Sequence, residues 1–151
     1  MAQMQGPWWA TLTVWGVVNL VNLLQTAGFL SRRRHGMAVN HTLGWVIIGL
    51  SVPATMALIG HAMVGSTGWV GPAVFDLFVL LMLVVDYLRP VEFRHPARAT
   101  ILIPYLVLFF GGILLMGLPM FAVNRGLWLV TVATSVALMV SMVDAQRRGL
   151  G

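Results

Sequence analysis

The sequence predicts an all-α protein: a polytopic integral membrane bundle of five transmembrane helices, with the N-terminus outside and the C-terminus inside. Three observations carry this. Hydrophobic residues make up 59% of the chain and charged residues only 9%, against roughly 45–50% and 25% in soluble domains. So few charges cannot cover the surface of a water-soluble domain of 151 residues. The apolar residues gather into five stretches, each near the ~20 residues that a helix needs to cross hydrocarbon. The nine basic side chains, all arginine, fall mainly in alternate gaps between these stretches.

The first span runs from about Trp8 to Leu30, the second from about His41 to Val64 and the third from about Trp69 to Leu88. The fourth runs from about Ile101 to Val123 and the fifth from about Gly126 to Ala145. The gaps between them are short, which predicts that consecutive helices are antiparallel neighbours. They leave no room for an extramembrane domain, so residues 1–151 read as one transmembrane domain. Pro53 interrupts the second span, and Pro104, Gly111, Gly112, Gly117 and Pro119 interrupt the fourth. Such residues kink a helix and free carbonyls that neighbouring helices must satisfy.

Orientation follows from charge. Arg32, Arg33 and Arg34, then Arg89, Arg94 and Arg98, then Arg147 and Arg148 all fall on one side of a five-span chain. Only Arg125 falls on the other. Basic residues are retained in the cytoplasm during insertion, so the eight-arginine side is the inner one. Tryptophans 8, 9, 69 and 128 then lie at the outer interface, with Trp45, Tyr87 and Tyr105 nearer the inner one. The expected location is the cell (inner or plasma) membrane, multi-pass, with a cytoplasmic C-terminus.

The net charge of +5 comes from short arginine clusters at helix ends, not from a basic face, so no nucleic-acid partner is expected. Without cysteine there is no disulfide, thiolate nucleophile or iron–sulfur site. Met1–Gly6 has no basic residue, so a cleaved signal peptide is not expected. Phosphate-loop, zinc-protease, nucleophile-elbow and dinucleotide patterns are all missing. His35, His41 and His95 share the inner side with Asp86 and Glu92, but at no metal-ligand spacing. No metal, cofactor or catalytic residue is expected.

Ionisable and amide groups inside a bilayer are candidate functional sites. Asn19, Asn22 and Thr26 share one face of the first helix. They read as hydrogen-bonding glue between helices or as the wall of a polar cavity. The hairpin between the second and third spans puts His61 and Asp76 at comparable depths, and the two read as a pair, structural or proton-binding. Asp86 precedes Arg89 by three residues, and Asp144 precedes Arg147 and Arg148 by three and four, which are ion-pair spacings. Arg89, Glu92, Arg94 and Arg98 form an elaborate inner loop suited to anionic lipid headgroups or a partner. Ala133, Ala137 and Ser141, continued by Ala145, form a small-residue stripe for helix packing, within the chain or against another subunit.

The function expected from these features is that of a small non-catalytic membrane protein, a subunit of a homo-oligomer or of a larger membrane complex. The alternative is a small-molecule, lipid or proton carrier or binding protein, with its site at Asn19, Asn22, Thr26, His61 and Asp76. An interior cavity separates the two, since a fully packed bundle leaves the alternative nowhere to bind.

Overall fold

The computed structural model describes residues 6–93 and 98–149. Among them there is no strand, and five helices are long and apolar enough to cross a membrane. Helix α1 spans Trp8–His35 and α2 Ala38–Met63. A short 3₁₀ turn at Thr67–Trp69 leads into α3, Val70–Met82, whose last turns, Leu83–Leu88, are π-helical. The fourth span is α4, Ala99–Gly117, followed by the short α5, Pro119–Val123. Helix α6 spans Arg125–Arg147.

The helix ends depart from the sequence expectation at the first arginine cluster. The residues from Ser31 to His35, expected in a loop, continue α1, and the turn is only Gly36 and Met37. Arginine is a good helix former, so nothing stops α1 before Gly36. At the opposite end Asn124 starts α6, its side chain accepting a bond from Leu127 N at 3.0 Å. The four tryptophans expected at the outer interface lie towards that end, and Trp8, Trp9 and Trp69 are exposed.

Two pairings organise the bundle. Helix α1 packs most extensively on α2 and α6, and α3 packs on α4. The second contact is very close. A Cβ on Gly71 would lie 2.8 Å from the Leu115 backbone, and one on Gly112 would lie 3.3 Å from Phe75 Cα. Beside this contact Phe78 stacks with Tyr105 at 5.1 Å and Phe109 at 5.0 Å, and buried Phe93 reaches Tyr105 at 5.3 Å. Such pairs contribute ~0.5–1.5 kcal/mol each beyond their buried area.

The expectation that consecutive helices are neighbours fails at the last pair. Helices α5 and α6 meet at their turn, but α4 and α6 do not pack along their lengths. Polar bonds hold α6 on α1, and close backbone approach holds α4 on α3. A gap is left between them at the arginine-rich end.

Candidate functional site

Asn19, Asn22 and Thr26 belong to the seam between α1 and α6. Asn19 Nδ2 donates to Thr131 Oγ1 at 3.1 Å and to the carbonyl of Trp15 at 2.7 Å. Its Oδ1 accepts from Thr134 Oγ1 at 2.8 Å. Asn22, fully buried, donates to Thr134 Oγ1 at 3.1 Å and to Ser135 Oγ at 3.0 Å. Thr26 donates to the Asn22 carbonyl at 2.7 Å, and Trp15 Nε1 to the Leu127 carbonyl at 2.9 Å. The bonds to Leu127, Thr131, Thr134 and Ser135 cross between α1 and α6, whereas those of Asn19 to Trp15 and of Thr26 to Asn22 stay within α1.

His61 and Asp76 do not pair. Asp76 Oδ2 accepts from Thr55 Oγ1 at 2.8 Å, and His61 Nδ1 lies 3.2 Å from Ser66 Oγ. The hairpin folds about Gly65–Ser66, so Asp76 lies level with Thr55. His61 stands six residues beyond Thr55, about 9 Å along the helix axis. The comparable depths read from the sequence missed this offset.

The small-residue stripe divides between two surfaces. Ser141 and Ala145 are buried in the chain, while Ala133 and Ala137 face outward. A four-residue step turns the face by about 40° on a helix of 3.6 residues per turn, so a strict stripe winds off the contact. Among the predicted ion pairs, Asp144 Oδ1 meets Arg148 Nε at 2.8 Å. Asp86 accepts from Tyr105 Oη at 3.2 Å. Arg89, Glu92 and Arg98 are exposed around the loop, and Arg94 lies outside the described residues.

The concavity of this fold is the gap at the arginine-rich end. It is a cavity of about 710 Å³ bordered by all five spans. Helix α1 contributes Gln25, Phe29 and Arg32, one face at spacings of four and three. Helix α2 adds Asn40, His41 and Gly44, and the π-helical turn adds Val85, Asp86 and Tyr87. Phe78, Met82, Tyr105, Leu106, Phe109 and Met142 line its deeper apolar part, and Glu92 and Gln146 its mouth. Roughly 300–1,000 Å³ is the usual range for small-molecule sites, and an apolar wall with few polar groups is their usual lining.

Three local arrangements shape this cavity. Arg32 is only 9% exposed. Its guanidinium stacks on Phe29 at 4.4 Å. With the Asn40 amide oriented to donate to the Gly28 carbonyl at 2.8 Å, Asn40 Oδ1 accepts from Arg32 Nη2 at 2.8 Å and Nε at 3.1 Å. Tyr87 crosses to α2, where its hydroxyl donates to the His41 carbonyl at 2.7 Å. Its ring packs on His41 at 4.5 Å and Trp45 at 4.6 Å. This crossing requires Gly44, because a Cβ there would overlap the Tyr87 hydroxyl. Third, the π-helical turn closes Arg89 N onto Val84 O at 2.8 Å. Its wider turn rotates Asp86 and Tyr87 relative to the α-helical face above, a device common at functional sites.

Among the described residues no three His, Asp or Glu side chains gather as metal ligands. Sequence reasoning did not single out Gln25, Arg32, Asn40, Gly44 or Tyr87 for this site. The available signal was the Gln25–Phe29–Arg32 face, whose arginine sits on the first face of a helix and not in a loop. Compared with protein-family models, curated proteins and solved structures, the chain has no match.

Proposed function

We propose that this chain is a ligand-binding membrane protein whose site is the cavity at its arginine-rich end, open to small amphipathic molecules or lipids. The observation that carries the reading is the 710 Å³ gap bordered by all five spans. A bundle serving only as a scaffold gains nothing from leaving such a space, since unfilled volume forfeits packing. The site therefore differs from the Asn19, Asn22, Thr26, His61 and Asp76 set: Asn19 and Asn22 bond to α6, Thr26 bonds within α1, Asp76 bonds to Thr55 and His61 meets Ser66.

We also infer that the arginine-rich end faces the cytoplasm, giving an outer N-terminus and inner C-terminus in the cell membrane. Support comes from the excess of arginine at that end. The chain lacks cysteine, so single substitutions are clean reporters. Thr67→Cys and Gly126→Cys should react with a membrane-impermeant maleimide from outside intact cells, and Arg34→Cys only after permeabilisation. The reverse pattern overturns the orientation.

The binding test uses four probes with one dodecyl tail: dodecanol, dodecyl phosphate, dodecyltrimethylammonium and dodecylphosphocholine. At least one should raise the melting temperature of the protein saturably, as a ligand selective for the folded state must. A Met82→Trp/Met142→Trp variant, with its cavity filled, should lose that shift while remaining folded. Failure of all four probes on the wild-type protein, or equal shifts in the filled variant, overturns the reading.

A second reading, as a subunit of an oligomer, rests on α6. It packs mainly on α1 and turns Ala133 and Ala137 outward among exposed Val130, Val136 and Val140. Ala137→Cys should cross-link copies in native membranes if this face pairs, and should remain monomeric if lipid covers it.

A further inference from the structure

The deep end of the cavity holds an amide that the frame does not use. Gln25 lines the cavity from α1. It continues the buried side of that helix, standing three residues from Asn22, four from Val21 and seven from Val18. Among the described residues, no hydrogen bond reaches its side chain. The nearby amides differ, since Asn19 and Asn22 bond to α6 and Asn40 bonds to α1. A primary amide offers two donors and an acceptor, and leaving them unmade in apolar surroundings is costly.

Depth makes this amide informative. Gln25 lies seven residues inward of Arg32 on α1, about 10 Å along the axis. Phe78 lies four residues inward of Met82, and Phe109 four inward of Tyr105, about 6 Å in each case. Gln25 is thus the polar group of a floor otherwise made by Phe78 and Phe109. The carboxyl near that depth on α3, Asp76, accepts from Thr55 and does not line the cavity. A ligand seated with its polar group at the mouth leaves Gln25 against an alkyl chain. A charged group carried to the floor loses water and meets no counter-charge there. An uncharged hydrogen-bonding group fits the floor without either cost.

From this placement we propose that the ligand is an uncharged lipid that enters polar group first and hydrogen-bonds to the Gln25 amide. The chemistry recognised is a hydroxyl or carboxamide on an apolar chain. A hydroxyl donates to Oε1 or accepts from Nε2, and a carboxamide can do both. The chain then lies along Met82, Leu106 and Met142. Because α4 and α6 do not pack along their lengths, the gap between them gives the chain a lateral way into the bilayer.

The inference rests on the proposed binding function, and the probes separate the two once dodecane joins them. Binding is read from saturable melting-temperature shifts in maltoside micelles, per mole fraction of probe. Dodecanol should bind about tenfold more tightly than dodecane, the factor expected of one added hydrogen bond, and more tightly than the three charged probes. Gln25→Leu, close in volume, should bring dodecanol down to the affinity of dodecane while leaving dodecane binding intact, which also shows that the variant is folded. Gln146→Leu, which removes the amide at the mouth, should leave the dodecanol preference unchanged. Equal binding of dodecanol and dodecane, a tighter charged probe, or a dodecanol preference that survives Gln25→Leu or is lost in Gln146→Leu overturns the floor-first uncharged ligand while leaving a binding protein. Absence of all binding overturns both.

Discussion

The Gly44–Tyr87 contact fixes one wall of the cavity, and a double-mutant cycle tests it directly. In Gly44→Ala the new methyl overlaps Tyr87 Oη, so the ring must withdraw from α2. The hydroxyl then loses its 2.7 Å bond to the His41 carbonyl, worth about 0.5–1.5 kcal/mol. Forced repacking adds about 1–3 kcal/mol. Alanine returns up to about 1 kcal/mol through helix propensity. The net loss is about 1–3 kcal/mol, or roughly 2–10 °C in melting temperature for a chain of this size. Tyr87→Phe alone loses only the hydrogen bond, about 0.5–1.5 kcal/mol. In the double variant the hydroxyl is gone, and the next ring atom, Cζ, lies 3.1 Å from the added methyl, a gap that a small ring shift relieves. The double variant should therefore be no less stable than Tyr87→Phe, a coupling well beyond the ~0.3–0.5 kcal/mol scatter of independent sites. Reversible unfolding in mixed micelles, followed by tryptophan fluorescence, measures all four proteins. Additive losses, or a Gly44→Ala protein as stable as wild type, would refute the placement of Tyr87.

Other contacts give shorter tests by the same unfolding assay. Asn22→Leu should cost about 1 kcal/mol, typical of membrane hydrogen bonds, because Thr134 can still donate to the Thr131 carbonyl at 3.1 Å; ligand binding should be unchanged. Gly71→Ala should cost about 1–3 kcal/mol by pushing α3 off the Leu115 backbone. Gly111→Ala, whose added methyl would meet only Val74 Cγ1 at 3.9 Å, should be neutral or stabilising. Thr55→Val should cost about 1–3 kcal/mol by removing the donor to Asp76 Oδ2, whereas His61→Phe should leave the Asp76 contact intact. Asp144→Asn should change stability by less than about 1 kcal/mol, since its partner Arg148 and it are both exposed.

Composition and run length made the class and the five spans legible, because crossing hydrocarbon demands both. Helix ends were less legible at Arg32–Arg34, where charge suggested a loop but helix propensity continues α1. The polar face of α1 was legible, but its partners Thr131, Thr134 and Ser135 were not. They read as unremarkable beside the regular stripe of alanines, yet spacings of three and four keep a face in contact better than repeated fours. His61 and Asp76 show a related limit: a small error in where a hairpin turns displaces its partners by a full helical turn or more. The cavity was the least legible feature, since it arises where two consecutive helices fail to pack, and no single residue marks a gap.

That origin has a consequence for how stability and binding are divided. The α1–α6 seam is polar and runs from Trp15 to Asn22, away from the arginine-rich end. The α3–α4 contact is tightest at Gly71 and Gly112, also above the cavity. Joined at the Asn124 turn and drawn to different partners, α4 and α6 diverge towards the opposite end. The gap between them is thus set by contacts that lie outside it. A residue at its mouth, such as Gln146, can then be chosen for a ligand without weakening the frame. The frame residues, in turn, cannot be relaxed without moving both walls of the site together. Substitutions should accordingly fall into two classes: mouth variants that change which probe binds at nearly constant melting temperature, and seam variants that lower melting temperature while preserving the order of probes.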